Sequence, residues 1–189
     1  IGPATTSGRI SDIAVNPKNH SEYYIASAAG GVWKTENAGT HFYPVFDKYG
    51  VQSIGCLAIN PNNPNVIWVG TGENNNQRSV GYGNGIYKSE DAGKSFVNVG
   101  LKNSFHIGMI TINPKNSSEI WVAAYGPLWG NKGDKGVYHT RDGGKTWNCV
   151  LNPDNAGFNE VHLDPFDPKI IYACAHQRRR HEWTYLGGG

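Results

Sequence analysis

Gly85-Ile86-Tyr87-Lys88-Ser89-Glu90-Asp91-Ala92-Gly93-Lys94-Ser95-Phe96 returns 51 residues later as Gly136-Val137-Tyr138-His139-Thr140-Arg141-Asp142-Gly143-Gly144-Lys145-Thr146-Trp147. A looser copy, Gly31-Val32-Trp33-Lys34-Thr35-Glu36-Asn37-Ala38-Gly39-Thr40-His41-Phe42, precedes both. Each copy opens as a short strand rich in β-branched and aromatic residues and runs into a turn. Within that turn Asp or Asn can bond neighbouring backbone amides, glycine supplies a positive φ, and the closing aromatic can pack beneath.

Working outward, each copy sits inside a longer repeat. An Asn-Pro or Asp-Pro dipeptide ends an apolar run at Asn16-Pro17, Asn60-Pro61, Asn113-Pro114 and Asp164-Pro165, in steps of 44, 53 and 51 residues. The runs before it, such as Leu57-Ala58-Ile59 and Ile110-Thr111-Ile112, read as inner strands buried on both faces. Eight residues after each Asn or Asp comes an aromatic: Tyr24, Trp68, Trp121 and Tyr172. Repeats of this length with four strands each predict an all-β propeller built of blades. The expected units are 8–46, 51–101 and 105–151, with 157–189 supplying two strands of a fourth. Such an arc implies about three and a half blades of a larger propeller, completed by remaining blades of the same chain, because closure protects the strand edges. The N-terminal Ile1-Gly2-Pro3-Ala4 has neither a start Met nor a signal pattern, so the expectation is a segment with its true start missing.

Composition agrees with that class. The 189 residues include 25 glycines, only 17% charged residues and 12% aromatics, which is turn-rich and sufficient for a core. A net charge of +2 gives no electrostatic drive toward nucleic acid. No apolar run reaches the roughly 18 residues of a membrane span, so no direct membrane insertion is expected. Cys56, Cys149 and Cys174 are widely spaced and read as small buried apolar residues, with one disulfide the alternative. No histidine pair at helical spacing and no acidic calcium loop is present, so neither a metal nor a cofactor is expected.

The Ser/Thr-x-Asp-x-Gly-x-Thr/Ser-Trp/Phe turn resembles the Asp-box, or BNR repeat, of β-propellers such as sialidases, sortilin-type receptors and xyloglucan-specific endoglucanases. Its structural positions here are Asn37, Gly39 and Phe42, then Ser89, Asp91, Gly93 and Phe96, then Thr140, Asp142, Gly144 and Trp147. Val69-Gly70-Thr71-Gly72-Glu73-Asn74-Asn75 and Gln177-Arg178-Arg179-Arg180 are most similar to large bacterial sortilin-like proteins often labelled glycosyl hydrolases. The resemblance implies a secreted or cell-surface location. It also implies one of two functions: a non-catalytic scaffold gripping a glycan or protein, or a glycoside hydrolase whose catalytic acids lie partly or wholly outside this segment.

In a four-stranded blade the connection between strands two and three lies on the face away from the Asp-box turns. That connection is long at 71–84, at 124–135 and from residue 175 past residue 180, so three insertions should gather on one rim. Candidate binding residues there are Glu73, Arg78, Tyr82, Trp129, Arg178, Arg179, Arg180 and Trp183. Trp129 reads either as a stacking platform for a sugar or as a loop plug, and the arginines either as an anion clamp or as structural ion pairs.

Glycosidase chemistry needs two carboxylates flanking the scissile bond. Asp12 and Glu160 are the weak catalytic candidates, since both lie four residues before their Asn-Pro or Asp-Pro, with Cys56 and Met109 between them. In endoglucanase register the family's acid falls on Ser11, one residue before Asp12, which weakens transfer of that mechanism. A sialidase arginine trio cannot be drawn, because Arg9 is matched by Ser53 and His106.

Overall fold

A computed structural model describes residues 9–188. Residues 1–4 and Gly8, which opens the first expected blade, lie outside the described residues. The described chain contains fifteen strands and one 3-10 turn, Asp47–Tyr49. The first antiparallel sheet has β1 (Ile10–Val15), β2 (Tyr23–Ser27), β3 (Gly31–Thr35) and β4 (Tyr43–Pro44) in sequential order. The second repeats this order with β5 (Ile54–Ile59), β6 (Ile67–Thr71), β7 (Ile86–Ser89) and β8 (Val97–Gly100). A third follows with β9 (Ile107–Ile112), β10 (Ile120–Ala124), β11 (Gly136–Thr140) and β12 (Asn148–Leu151). The fourth sheet holds β13 (Gly157–Leu163), β14 (Ile171–Arg180) and β15 (Tyr185–Gly188). Neighbouring blades meet along their first strands, β1 on β5, β5 on β9 and β9 on β13. This is a segment of a β-propeller.

The core lies between blades. Tyr24, Ala26, Val32 and Phe46 of the first blade pack on Ile54, Leu57, Val69 and Phe96 of the second. Trp68 and Ile86 then pack on Ile107, Ile120 and Val122 of the third. Ala123 and Val137 meet Phe158 and Val161 of the fourth. Each large apolar side chain buried this way contributes roughly 1.5–3 kcal/mol, which makes blade-on-blade contact the main stabilising term.

Every first strand carries a bulge at the same place. The register shifts at Ser11, Gly55, Gly108 and Asn159, each five residues before its Asn-Pro or Asp-Pro. The bulged residue presses against the next inner strand. The Ser11 hydroxyl donates to the Ile54 carbonyl at 2.8 Å, and a Cβ on Gly108 would lie 2.5 Å from the Asn159 carbonyl oxygen. No offset count at the next position along could reveal this.

The turns between third and fourth strands are held by one hydrogen-bond scheme. In the second blade the Asp91 carboxylate accepts from the Ser89 hydroxyl (2.8 Å), the Ser95 amide (2.9 Å) and the Ser95 hydroxyl (2.6 Å), while Ser89 Oγ accepts from the Gly93 amide (2.9 Å). Thr140, Asp142, Gly144 and Thr146 repeat it. In the first blade Asn37 Oδ1 accepts from Thr35 and the His41 amide, and His41 brings no hydroxyl to close the last bond. The closing aromatics pack inward. Phe96 stands edge-on to Phe46 at 5.1 Å, Trp147 Nε1 donates to the Val99 carbonyl at 2.8 Å, and Phe42 meets Tyr23.

These bonds hold the Asp91 carboxyl down at about 2, the Ser95 hydroxyl and amide contributing first. A folded pKa below the unfolded one contributes stability that is complete above about pH 4 and disappears as pH falls through about 2. Asp91→Ala is expected to lower the Tm by a few degrees at neutral pH and to shrink the gap from wild type below pH 3, while ligand affinity at the opposite rim stays unchanged. Calorimetry across that pH range checks it. A loss of affinity with an unaltered Tm would contradict the structural role.

Three expectations are corrected. The fourth sheet has three strands where two were expected, because the end of β14 turns back as β15. Cys56 is buried, but Cys149 and Cys174 are exposed free thiols. Cys149 lies on β12, the outermost strand of its sheet, and Cys174 lies on a stretch of β14 paired on one side only. Burial and a neighbouring Asp12 carboxylate push the Cys56 thiol far above its ordinary range, so it stays protonated and apolar. The Arg178-Arg179-Arg180 run is not in a loop. It occupies the end of β14, which folds back on β15 as a hairpin.

Candidate functional site

The first strands bend around an axial trough of about 530 Å³. Its lining comes from all four blades and includes Ser11 and Asp12, Cys56, Met109, and Glu160 with His162, while Asn74 reaches in from the 71–84 loop. The bulged residues Ser11, Gly55, Gly108 and Asn159 line it together with the residue that follows each of them.

Both acidic candidates therefore face one trough, in different states. Asp12 is occupied by backbone: its Oδ1 accepts from the Ile13 amide and its Oδ2 from the Leu57 amide, both at 2.8 Å. It ties β1 to β5. Glu160 is half exposed, with the His162 ring nitrogen 3.5 Å from its carboxylate. Ser11, at the register of the endoglucanase acid, is committed to the Ile54 and Ala26 carbonyls.

Above the trough the three long connections are laced together. Glu73 pairs with Arg9 and accepts from Asn75, while its own amide is received by the Ser53 hydroxyl. Glu73 thus shapes the 71–84 loop and anchors it to the first blade. Strand alternation in β14 sends Arg178 and Arg180 to one side and Arg179 to the other. Arg178 donates to the Asn75 carbonyl at 2.7 Å, and Arg180 donates to the Asn76 carbonyl at 2.9 Å through Nε. Arg179 instead reaches Asn131 Oδ1 of the 124–135 connection at 2.7 Å. Arg78 returns the contact by donating to the Glu182 carbonyl at 3.0 Å. The arginines act as ties between loops, each bound to a protein oxygen.

Beneath this lacing lies a cluster that the sequence did not announce. Arg178 is only 5% exposed, lies 4.0 Å from the Tyr125 ring centroid, and leaves one terminal nitrogen without a partner among the described residues. Burial lowers its pKa and lifts the Tyr125 hydroxyl to about 12. His106 is fully buried, and neither of its ring nitrogens has a partner among the described residues. The only available signal was negative: a histidine amid apolar neighbours at a strand start.

The aromatic candidates form the exposed part of the rim. Tyr82 is 46% exposed and edge-on to Phe105 and His106. Trp129 is 43% exposed, while its neighbour Leu128 is fully buried and plugs the loop. Trp183 is 80% exposed at the tip of the β14–β15 hairpin and stacks with His181. In that loop Leu128 is the buried plug and Trp129 stands on the surface beside it. No group of side chains suited to a metal ion occurs among the described residues, and no helix among them is long and apolar enough to cross a membrane.

The architecture and the trough define a propeller segment, and comparisons with known proteins agree. No family model matches the chain. It is 28% identical over 138 residues to a probable oligoxyloglucan-reducing end-specific xyloglucanase of Neosartorya fischeri, covering 70% of this chain and 14% of that protein. It is 24% identical over 156 residues to the oligoxyloglucan-reducing end-specific xyloglucanase of Emericella nidulans, covering 73% of this chain and 17% of that one. The chain thus spans about a sixth of the curated relatives it matches. Among solved structures it resembles a GH74 enzyme of Niastella koreensis with a TM-score of 0.69 and 19% identity, over 89% of this chain and 26% of that one. That likeness carries the fold.

Proposed function

We propose that the chain is part of a carbohydrate-engaging propeller of Asp-box, sortilin-like type, in a secreted or cell-surface protein. It grips a polysaccharide along the laced rim and does not cleave it with its own residues. The observation that carries this reading is the state of the trough's acids. Hydrolysis by two carboxylates needs both free to exchange protons or attack, and Asp12 is committed to two backbone amides. Glu160 alone remains available in the trough among the described residues. Rigidly tied loops presenting Tyr82, Trp129 and Trp183 offer flat apolar faces of the kind that sugar rings stack on.

The names of the two fungal relatives favour a second reading, a glycoside hydrolase in which Glu160 works with an acid outside this chain. They also make xyloglucan oligosaccharides the first ligand to try. Calorimetry should show binding, with Trp129→Ala and Trp183→Ala each weakening it roughly 2- to 10-fold at unchanged Tm. Absence of binding across xyloglucan and other β-glucans would remove the carbohydrate reading. Release of reducing ends that Glu160→Gln abolishes would replace the scaffold by the hydrolase.

A further inference from the structure

The charge of the chain is divided unevenly between the two faces of the propeller. The rim side comprises Arg9, the connections 45–53, 72–85, 101–106, 125–135 and 152–156, and the β14–β15 hairpin over 176–188, and it holds nine Lys and Arg against five Asp and Glu. The turns of the opposite face, at 16–22, 36–42, 60–66, 90–96, 113–119, 141–147 and 164–170, hold six against eight. The rim is therefore the electropositive face of a nearly neutral chain, and an anionic ligand is drawn toward it.

One pair of rim cations lacks the partner that other cations of the chain have. Arg9 faces Glu73, Lys34 faces Glu22 and Glu36, and Lys88 faces Glu90. Arg179 and Lys135 form no ion pair among the described residues. Both converge instead on one neutral atom, Asn131 Oδ1, which lies 2.7 Å from a terminal nitrogen of Arg179 and 2.8 Å from Lys135 Nζ. Lys135 also donates to the Asp154 carbonyl, and Asn131 Nδ2 is turned to Asn155 Oδ1 at 3.5 Å. Two full positive charges thus stand within about 6 Å of each other, joined by an amide dipole rather than a carboxylate. Burial and the neighbouring Arg179 hold the Lys135 ammonium below its ordinary pKa. Asn131 is exposed and both cations are half-buried, so they are reachable where charge is less screened than in open water. Exposed Trp129 lies two residues before Asn131, and the Arg180 amide donates to the Leu128 carbonyl at 2.9 Å, which fastens this loop to the strand carrying Arg179.

Resting on the carbohydrate reading above, we propose that Arg179, Lys135 and Trp129 form a subsite for a uronic acid unit of an acidic polysaccharide. The sugar's carboxylate accepts from the Arg179 fork and the Lys135 ammonium beside Asn131, and its ring stacks on Trp129. A neutral glycan offers this pair no charge and gains the stacking alone. An acidic peptide offers the charge without the flat ring that the exposed indole suits.

The test compares a galacturonic acid tetramer with the same tetramer reduced at its carboxyls to primary alcohols, by calorimetry on the 189-residue chain at about 20 mM salt. The acidic tetramer is expected to bind roughly tenfold tighter, a gap that narrows toward about 0.5 M salt. Arg179→Gln and Lys135→Gln should each cut that gap to about threefold or less, with the Tm and the affinity for the reduced tetramer unchanged. Trp129→Ala should weaken both tetramers alike. Equal binding of the two tetramers overturns the subsite and leaves the carbohydrate reading in place, as does a preference that survives both charge substitutions. A tetraglutamate peptide that binds as tightly as the acidic tetramer also overturns it, by making an acidic protein segment the ligand. Binding of neither tetramer and of no xyloglucan oligosaccharide removes the subsite and the carbohydrate reading together.

Discussion

Gly55→Ala is expected to destabilise the protein by about 3 kcal/mol or more, enough to leave a single domain of ordinary stability largely unfolded at moderate temperature. A Cβ at Gly55 would be driven into the Ile107 carbonyl of the next inner strand and would lie 2.6 Å from the Gly72 carbonyl oxygen. Both obstacles are backbone, so no rotamer change relieves them. The strand would have to retreat from the axis, opening the packing of Cys56, Trp68 and Ile107. Gly50→Ala provides the comparison. Gly50 has φ +70° and nothing within 4 Å of its Cβ position, so its substitution costs only the left-handed penalty of about 1–2 kcal/mol. Urea unfolding of the two variants should rank them clearly. Equal losses would mean that the inner strands tolerate more separation than their contacts imply.

The sheet order was legible because a propeller repeats itself. The Asn-Pro spacing, the aromatic eight residues on and the glycine-led third strand each recur, and a run that recurs in register must occupy equivalent places. The acidic turns were legible for a further reason: their bonds are local, spanning four residues from Ser89 to Gly93 and from Asp91 to Ser95. The bulges were harder to read. Counting four residues back from each Asn-Pro or Asp-Pro finds Asp12, Cys56, Met109 and Glu160, each just after a bulged residue, and both sets line the trough. Counting five finds Ser11, Gly55, Gly108 and Asn159, three of them small, and that smallness was the signal of close approach.

The rim was legible as a place and not as a set of partners. Long insertions mark it, but which arginine points where depends on β14 continuing past its pairing with β13, which depends in turn on β15 folding back on it. Pairing between segments distant in sequence leaves no local trace. Arg178 shows the consequence, since a run of three arginines reads as an anion clamp or as structural ion pairs, while this member is buried against Tyr125. Asp12 is similar. Its identity announces an acid at the axis, and only the positions of the Ile13 and Leu57 amides reveal that both its oxygens are engaged.

His106 makes the rim sensitive to acid. Burial, reinforced by Arg178, pushes its pKa down to about 3. The folded state therefore refuses a proton that the unfolded chain accepts near pH 6.5, so the stability at stake is complete above about pH 6.5. It is lost as pH falls toward about 3, at up to roughly 1.4 kcal/mol per pH unit. His106→Leu removes the titrating group without breaking a hydrogen bond among the described residues, since both ring nitrogens lack partners there. The variant should match wild type within about 1 kcal/mol at pH 7 and exceed it by several kcal/mol at pH 4. Parallel unfolding profiles between pH 7 and 4 would place the acid sensitivity elsewhere. The local consequence follows from position: His106 touches Tyr82 edge-on, and its carbonyl accepts from the Tyr125 amide at 2.9 Å. A charge forced onto this ring beside Arg178 disturbs the aromatic rim directly. Because the folded ring stays neutral down to about pH 3, ligand affinity in wild type should fall together with folding, and His106→Leu should move both transitions to lower pH.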